Sequence, residues 1–306
     1  MYVVEQLEDY VHLHQPLALT IGNFDGVHRG HQAILQRIQD LAGPNGEAVV
    51  LTFRNHPSEV LRPAQPSSLL CTPIHKIRLL QAYGIDRILL LSFTHDLAQH
   101  TAEAFIAYLH HYIPFSHLVL GQEATLGKDR QGHPEVMQRL SREWGFTLSY
   151  EEPHRFAGEV ISSTFIREAV KRGDFARAAE LLGRSYSLYA AIKHGEGRGA
   201  TIGFPTANFE TEKLCMPPSG VYAIEAVDDD GRRMPGVANI GTAPTVRPQG
   251  PLLLEAHFFD RHDNLYGKYL EIFFKAFIRP ERKFPDVEAL RCQIALDVET
   301  AKTLLT

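Results

Sequence analysis

The sequence predicts an α/β domain built on a mainly parallel sheet, followed by a small β-barrel that ends in a helix. Three observations predict this. From the N-terminus to about residue 182, short apolar runs alternate with segments of helical periodicity, the pattern of βαβ units. After Gly183 the helical periodicity fades, and short strand-like runs recur between turn signals, as in a barrel. Only residues 286–300, through Leu290, Ile294 and Val298, return to a helical stripe.

Taken in order, Leu17-Ala18-Leu19-Thr20-Ile21 is a strand covered on both faces. Ile34, Leu35, Ile38 and Leu41 then recur at helical spacing. Residues 48–53 form a second strand. Residues 54–68 carry Pro57, Pro63 and Pro66 and read as loop. Ile74, Ile77, Leu79 and Leu80 give the apolar side of a helix that Gly84 stops. A third strand lies within residues 87–93. A helix over 101–112 has Thr101 as N-cap and Glu103 in its first turn. Strands over 117–121 and 147–151 flank a helix over 135–144 that Gly145 ends. Helices follow at Phe165, Ile166, Ala169 and Val170 and over 174–182. Barrel strands are expected over 188–194, 221–227, 236–240, 252–259 and 270–278. The domains are therefore residues 1–182 and 183–306, with no low-complexity linker between them.

Composition narrows the class. The chain has 306 residues, 44% hydrophobic and 22% charged, which fits a soluble protein with room for two cores. Its net charge of −5, without a cluster of lysine and arginine, argues against nucleic acid as a partner. Cys71, Cys215 and Cys292 are scattered, as free thiols in a reducing compartment would be. Residues 1–10 are acidic and lack a leader pattern, and no apolar run reaches membrane-spanning length. These features predict a cytoplasmic enzyme without a membrane partner.

Between the first strand and helix runs Gly22-Asn23-Phe24-Asp25-Gly26-Val27-His28-Arg29-Gly30-His31. The glycines let the backbone approach a ligand at a helix N-terminus. His28 and His31 fall on roughly one side, with Gly30 leaving room between them. Two imidazoles so placed can donate to a phosphoryl group on which charge is growing. Parallel-sheet proteins bind ligands at the carboxyl ends of their strands, and residues 22–31, 54–58 and 121–132 all lie there.

Ser162-Ser163-Thr164 precede a helical run in which Arg167 lies one turn inside, near enough to reach a phosphate at the helix end. By themselves these residues read better as a helix cap and a surface arginine. Further on, Gly195, Gly197, Gly199 and Gly203 allow a loop that wraps a polyphosphate. No Gly-Lys-Ser/Thr follows, so it is not a Walker A loop. Pro205-Thr206-Ala207-Asn208 ends that stretch, and Thr206 and Asn208 offer neutral oxygens suited to Mg²⁺. Glu255 alternates with Leu254 and Ala256 and by itself reads as a solvent-facing strand residue.

The His28 to His31 stretch resembles the nucleotidyltransferase signature in the form used by bacterial bifunctional riboflavin kinase/FAD synthetases. Ser162-Ser163-Thr164-Phe165-Ile166-Arg167 is similar to that family's second nucleotide motif, and Pro205-Thr206-Ala207-Asn208 to its kinase motif. Gly220-Val221-Tyr222, Asn239-Ile240-Gly241, Pro244-Thr245, Glu255-Ala256-His257 and Tyr266-Gly267 follow in the family's order. The resemblance implies a Rossmann-like nucleotidyltransferase domain and a six-stranded riboflavin kinase barrel with a C-terminal helix. It implies phosphorylation of riboflavin to FMN and adenylylation of FMN to FAD, with ATP as substrate and Mg²⁺ in both steps.

Glu255 would be the kinase's general base, with His28, His31 and Arg167 acting in adenylyl transfer. Gly22, Phe24, Asp25, Gly30, His56, Pro57, Glu123, Ser162, Ser163 and Thr164 would line the first nucleotide and flavin site. Gly197, Gly199, Gly203, Pro205, Thr206 and Asn208 would line the second, with Thr206 and Asn208 at the metal. The assembly is expected to be a monomer or a weak homo-oligomer.

One segment departs from the pattern: Glu123, Ala124 and Leu126 stand where the family reads Asp or Asn and two phenylalanines. That leaves open an active kinase whose N-terminal domain is a weak or regulatory nucleotide binder. A transferase acting on another phosphorylated acceptor is a third reading, which the adjoining kinase motifs disfavour.

Overall fold

The computed structural model describes residues 2–195, 197–242, 252–259 and 265–306. The chain forms two compact units, Met1–Leu69 with Lys76–Ser163, and Leu70–His75 with Thr164–Thr306.

The first unit is a parallel sheet of β1 Tyr2–Val4, β2 Leu17–Ile21, β3 Glu47–Phe53, β4 Arg87–Leu91, β5 His117–Gly121 and β6 Thr147–Glu151. Its order is β1-β4-β3-β2-β5-β6, and every neighbouring pair runs parallel. All five residues of β2 are buried, which explains the unbroken apolar run that marks it. The chain winds from β2 out to β3 and β4, then returns to β5 on the other side. The topological switch, and hence the crevice for a ligand, lies between the carboxyl ends of β2 and β5.

The helices of this region are α1 Arg29–Ala42, α2 Pro57–Leu61, α3 Pro73–Ala82, α4 His95–Gln99, α5 Ala102–Tyr112 and α6 Pro134–Trp144. The expected stops and starts hold. The Thr101 hydroxyl accepts from the Ala104 amide at 3.1 Å, and Gly145 closes α6 in the left-handed conformation. A short hairpin, β7 Arg155–Phe156 with β8 Glu159–Val160, completes the unit.

Four local expectations need correction. Residues 54–68 are not all loop, because Pro57 occupies the first position of α2, where its missing N–H is harmless. The short α4 and the edge strand β1 were not anticipated, since neither carries a long periodic pattern. The buried side of α3 is His75, Lys76, Leu79 and Leu80, whereas Ile74 is 40% exposed. Lys76 turns inward because acceptors await it: its ammonium donates to the Phe53 carbonyl at 2.8 Å and to the Thr52 hydroxyl at 3.3 Å.

The buried carboxylate of Glu47 ties residues 10–14 to the sheet. It accepts from the Tyr10 hydroxyl at 2.6 Å and from the Leu13 and His14 amides at 3.0 Å. Burial first, then this carboxylate, push the Tyr10 phenol well above its usual range.

The second unit holds a closed barrel of β9 Ser187–Lys193, β10 Ala207–Phe209, β11 Gly220–Val227, β12 Arg233–Thr242, β13 Leu252–Phe258 and β14 Tyr269–Arg279. Every pairing around it is antiparallel. The six strands and the terminal helix agree with the resemblance. β10 falls in a stretch that sequence alone read as loop, because three residues are too few to show a period. Helices α7 Ser163–Lys171 and α8 Phe175–Leu182 precede the barrel, and the four-residue α9 Arg198–Thr201 sits in the glycine-rich stretch. Ser163 and Thr164 lie within the first turn of α7 and do not precede it. The long α10 Val287–Leu305, capped by Asp286, packs Val298 and Ala301 against Val221 and Val237 on the outside of the barrel.

Two candidate active sites

The loop after β2 is buried and strained. Phe24 and Val27 adopt φ of 48° and 40°, a left-handed conformation that is rare for a bulky or β-branched residue. Such backbone costs about 1–3 kcal/mol per residue and persists where the surroundings over-determine it. Three side chains do so here. Thr52 donates to the Asn23 carbonyl at 3.0 Å, Ser163 to the Asp25 carbonyl at 2.9 Å, and Gln32 to the Val27 carbonyl at 2.9 Å.

His28 caps α1, its Nδ1 accepting from the His31 amide at 3.3 Å. In the neutral ring that leaves the proton on Nε2. The two imidazoles stack with centroids 3.6 Å apart, and Phe24 tilts against His31 at 4.9 Å. A Cβ at Gly30 would press on the His28 ring at 3.3 Å, and one at Gly22 would meet the Phe24 ring at 3.0 Å. The His31 Nδ1 is buried with no hydrogen-bond partner. Burial, then His28, then Lys76 hold the His31 imidazole well below its usual value, so it is neutral at neutral pH.

Beside this loop opens a cavity of about 420 Å³. Ile21, Gly22 and Asn23 line it from the end of β2 and the loop after it, Phe53 and Pro57 from β3 and α2, and Ala124, Leu126 and Lys128 from the loop after β5. Phe53 and Phe93 meet edge to face at 5.2 Å on its wall. Gly127 admits no other residue: its φ is 77°, and a Cβ would fall 2.4 Å from the Ala102 nitrogen.

The sequence candidates thus separate. Gly22 and Pro57 line the cavity, Phe24 and Asp25 are buried within the loop, and Glu123 is exposed and off the cavity wall. His56 spends its Nδ1 on the Ser58 amide, in a capping box completed by Glu59. Ser162 is half-buried just before α7. Thr164 and Arg167 belong to the second unit, on α7, with Thr164 exposed and Arg167 half-buried.

The barrel site is a cavity of about 380 Å³ between the outer face of the barrel and α10. Leu254, Ala256 and Phe258 are buried, so Glu255 and His257 face the other way, onto this cavity. Glu255 is in register with Asn208 on one side and Asn239 on the other, so the three share one face of neighbouring strands. Thr206 and Gly199 also line the cavity. Asn208, Gly197, Gly203 and Pro205 do not, although the Pro205 carbonyl lies 2.9 Å from His257 Nδ1.

Two side chains lie tight under glycine backbone. A Cβ at Gly199 would stand 3.0 Å from the Thr206 hydroxyl, and one at Gly195 would stand on the Asn208 amide. Pro244-Thr245 and Glu196 lie outside the described residues. Among the described residues no group of three or more His, Cys, Asp or Glu is placed to hold a metal ion. The donors present are neutral oxygens, a set that fits Mg²⁺ already carrying phosphate oxygens.

Sequence reasoning missed three residues. Arg279 and Asp297 line the barrel cavity as a bidentate pair, with contacts of 2.7–3.1 Å, and Asp297 is buried. An acid standing beside Ile294 and Val298 on an apolar stripe was the available signal. Lys76 carried no such signal, because the apolar spacing of its helix pointed elsewhere.

Comparison with known proteins finds two matched segments. Residues 11–165 match the family model for FAD synthetase, and residues 182–305 match that for riboflavin kinase. A bifunctional riboflavin kinase/FMN adenylyltransferase of Haemophilus influenzae is 36% identical over 304 residues, covering 99% of this chain and 98% of that protein. Its counterpart in Escherichia coli K12 is 36% identical over 289 residues, covering 93% of this chain and 91% of that protein. A crystal structure described as a macrolide-efflux protein from Streptococcus pneumoniae superposes with a TM-score of 0.80 at 27% identity, covering 98% of both chains. That label belongs to the neighbour; among the described residues here, no helix is long and apolar enough to cross a membrane.

Proposed function

We infer how the two reactions are divided from one premise: the chain belongs to the family of bifunctional riboflavin kinase/FMN adenylyltransferases. It phosphorylates riboflavin to FMN and adenylylates FMN to FAD, using ATP in each step.

In the kinase step, Glu255 takes the proton of the 5′-hydroxyl as that oxygen attacks the γ-phosphorus of ATP and ADP leaves. The hydroxyl is a poor nucleophile, and a positioned carboxylate is the simplest remedy. What supports this reading is the alignment of Asn208, Glu255 and Asn239 across three strands, with Glu255 and Asn239 on the cavity wall. Thr206 and Asn208 would hold Mg²⁺, which when bound screens the phosphate charge. Gly199 keeps the loop close enough to Thr206 for phosphate to lie against backbone.

In the adenylyl transfer, an FMN phosphate oxygen attacks the α-phosphorus of ATP, and pyrophosphate leaves. His28 and His31 act as neutral hydrogen-bond donors to the phosphoryl oxygens, and Arg167 holds the phosphates. The buried, strained loop and stacked imidazoles support this assignment. The flavin ring lies in the cavity walled by Phe53 and Phe93, where Ala124 and Leu126 leave added room. We take residues 1–182 as the adenylyltransferase and 183–306 as the kinase. That keeps Ser162, Ser163, Thr164 and Arg167 with the first nucleotide motif, although α7 packs with the second unit. A cytoplasmic monomer or weak homo-oligomer fits the scattered free cysteines and the sequence pI near 6.3.

The test uses purified protein with riboflavin, excess ATP and Mg²⁺, with flavins resolved by chromatography. FMN and then FAD are expected in sequence. FMN accumulating without FAD would favour the regulatory reading of the first domain.

A further inference from the structure

β3 and β4 end together at the rim of the first cavity, and one side chain ties their ends. The ladder between them runs regularly as far as the Arg54 amide, which donates to the Leu91 carbonyl at 2.8 Å. The next two bonds of a parallel pair would join the Arg54 carbonyl and the His56 amide to Phe93. β3 turns off there into α2, and the His56 amide donates instead to the Glu59 carboxylate at 3.1 Å. The Asn55 carboxamide takes both places. Its Oδ1 accepts from the Phe93 amide at 2.8 Å, and its Nδ2 donates to the Phe93 carbonyl at 2.9 Å. A carboxamide offers a donor and an acceptor as a peptide does, so Asn55 imitates one more residue of strand.

Phe93 is the residue on which this clamp acts. Its ring meets Phe53 edge to face on the cavity wall, and it stands immediately before Thr94, the N-cap of α4. α4 brings Leu97 and Ala98 to the cavity, as α2 brings Pro57 and Leu61. Each of these helices has five residues, too few to hold a geometry unaided. One carboxamide therefore fixes the starts of both relative to each other. It also pairs the Phe93 amide and carbonyl, which if open would draw water into an apolar wall. We propose that Asn55 is a positioning residue for FMN adenylylation: its carboxamide holds Phe93 and the start of α4, and with them the wall against which the flavin ring lies. The inference rests on the reading that seats the ring in this cavity.

A wall that is merely held in place should serve binding of one substrate and leave the chemistry alone. Loss of the clamp should therefore raise the KM for FMN without lowering kcat, the mark of binding shared by ground state and transition state. A general loss of structure would instead move kcat, both KM values and the fraction of active protein together.

The experiment compares full-length Asn55→Ala, Asn55→Asp and Phe93→Ala with wild type. FMN and ATP are varied separately in the adenylylation assay, and riboflavin phosphorylation is the internal reference. Asn55→Ala should raise the KM for FMN about 5- to 10-fold, on the scale of one net hydrogen bond. Its kcat, its KM for ATP and its phosphorylation rate should stay at wild-type values. Asn55→Asp keeps the acceptor for the Phe93 amide and loses the donor, so its KM for FMN should fall between wild type and Asn55→Ala. The proposal falls if folded Asn55→Ala keeps the wild-type KM for FMN, or if its KM for ATP rises equally. If Asn55→Ala does not fold, Asn55→Asp decides by the same two readings. Phe93→Ala separates the layers. An unchanged KM for FMN in that variant refutes the seating of the ring itself, whereas a raised one beside an unaffected Asn55→Ala refutes only the role of Asn55.

Discussion

Replacing Gly199 by alanine sets two effects against each other, and the structure decides between them. Gly199 sits in α9 with helical backbone, where alanine is intrinsically better than glycine by about 1 kcal/mol. Against that, its Cβ would fall 2.4 Å from the Phe204 carbonyl and 3.0 Å from the Thr206 hydroxyl. The backbone at 2.4 Å is the harder neighbour, and it cannot simply retreat. The Phe204 amide donates to the Gly199 carbonyl at 2.9 Å, so separating the segments breaks that bond. Overpacking costs about 1–3 kcal/mol and the lost bond about 1 more, which outweighs the helical gain.

The loop must shift, and Thr206 shifts with it. A displacement of order 1 Å in a positioning group lowers rate by about a hundredfold. Gly199→Ala should therefore cut kcat/KM for riboflavin phosphorylation about 10- to 100-fold and leave FMN adenylylation unchanged. Gly197→Ala is the control. That residue has φ of 70° but no atom within 4 Å of an added Cβ, so it meets only the strain of left-handed backbone, about 1–2 kcal/mol. Both activities are measured on the same preparations. Wild-type phosphorylation by Gly199→Ala, or a larger loss in Gly197→Ala, would refute the reasoning.

Glu255→Gln should lower riboflavin phosphorylation about 10²- to 10⁴-fold, the range for losing a general base, while added FMN is still converted to FAD. Asp297→Ala removes the bidentate partner of the half-buried Arg279 and should destabilise the kinase unit by about 1–3 kcal/mol, read as an earlier thermal transition followed by kinase activity. His31 binds a proton more weakly folded than unfolded, so the unfolded chain takes up protons first. Stability should then fall as pH drops below about 6.5, by at most about 1.4 kcal/mol per pH unit, and His31→Gln should flatten that limb in denaturant titrations.

Much of the first unit was legible because buried parallel strands write continuous apolar runs and helices announce their ends. β2 and Gly145 are examples. The His28–His31 motif was legible for a different reason, since two imidazoles amid three glycines have few structural uses. What the sequence hid was decided by tertiary contact. Lys76 faces inward against the apolar spacing of α3, because the end of β3 offers it oxygen acceptors. β10 exists because β9 and β13 pair with it on both sides, and not through any period of its own. Glu255 looked like an ordinary outward residue, and it is outward. α10 covers that outer face and turns it into a cavity wall, a fact of packing that no strand pattern carries. His56 shows the opposite case, a site candidate whose Nδ1 caps the short helix α2.

The most direct trial of two independent active sites is complementation in solution. Glu255→Gln and His28→Ala are each given riboflavin, ATP and Mg²⁺, alone and mixed, and FAD is quantified by chromatography. The account predicts almost no flavin product from Glu255→Gln, FMN alone from His28→Ala, and FAD once the two are mixed. FAD from either variant alone, or none from the mixture, would contradict it.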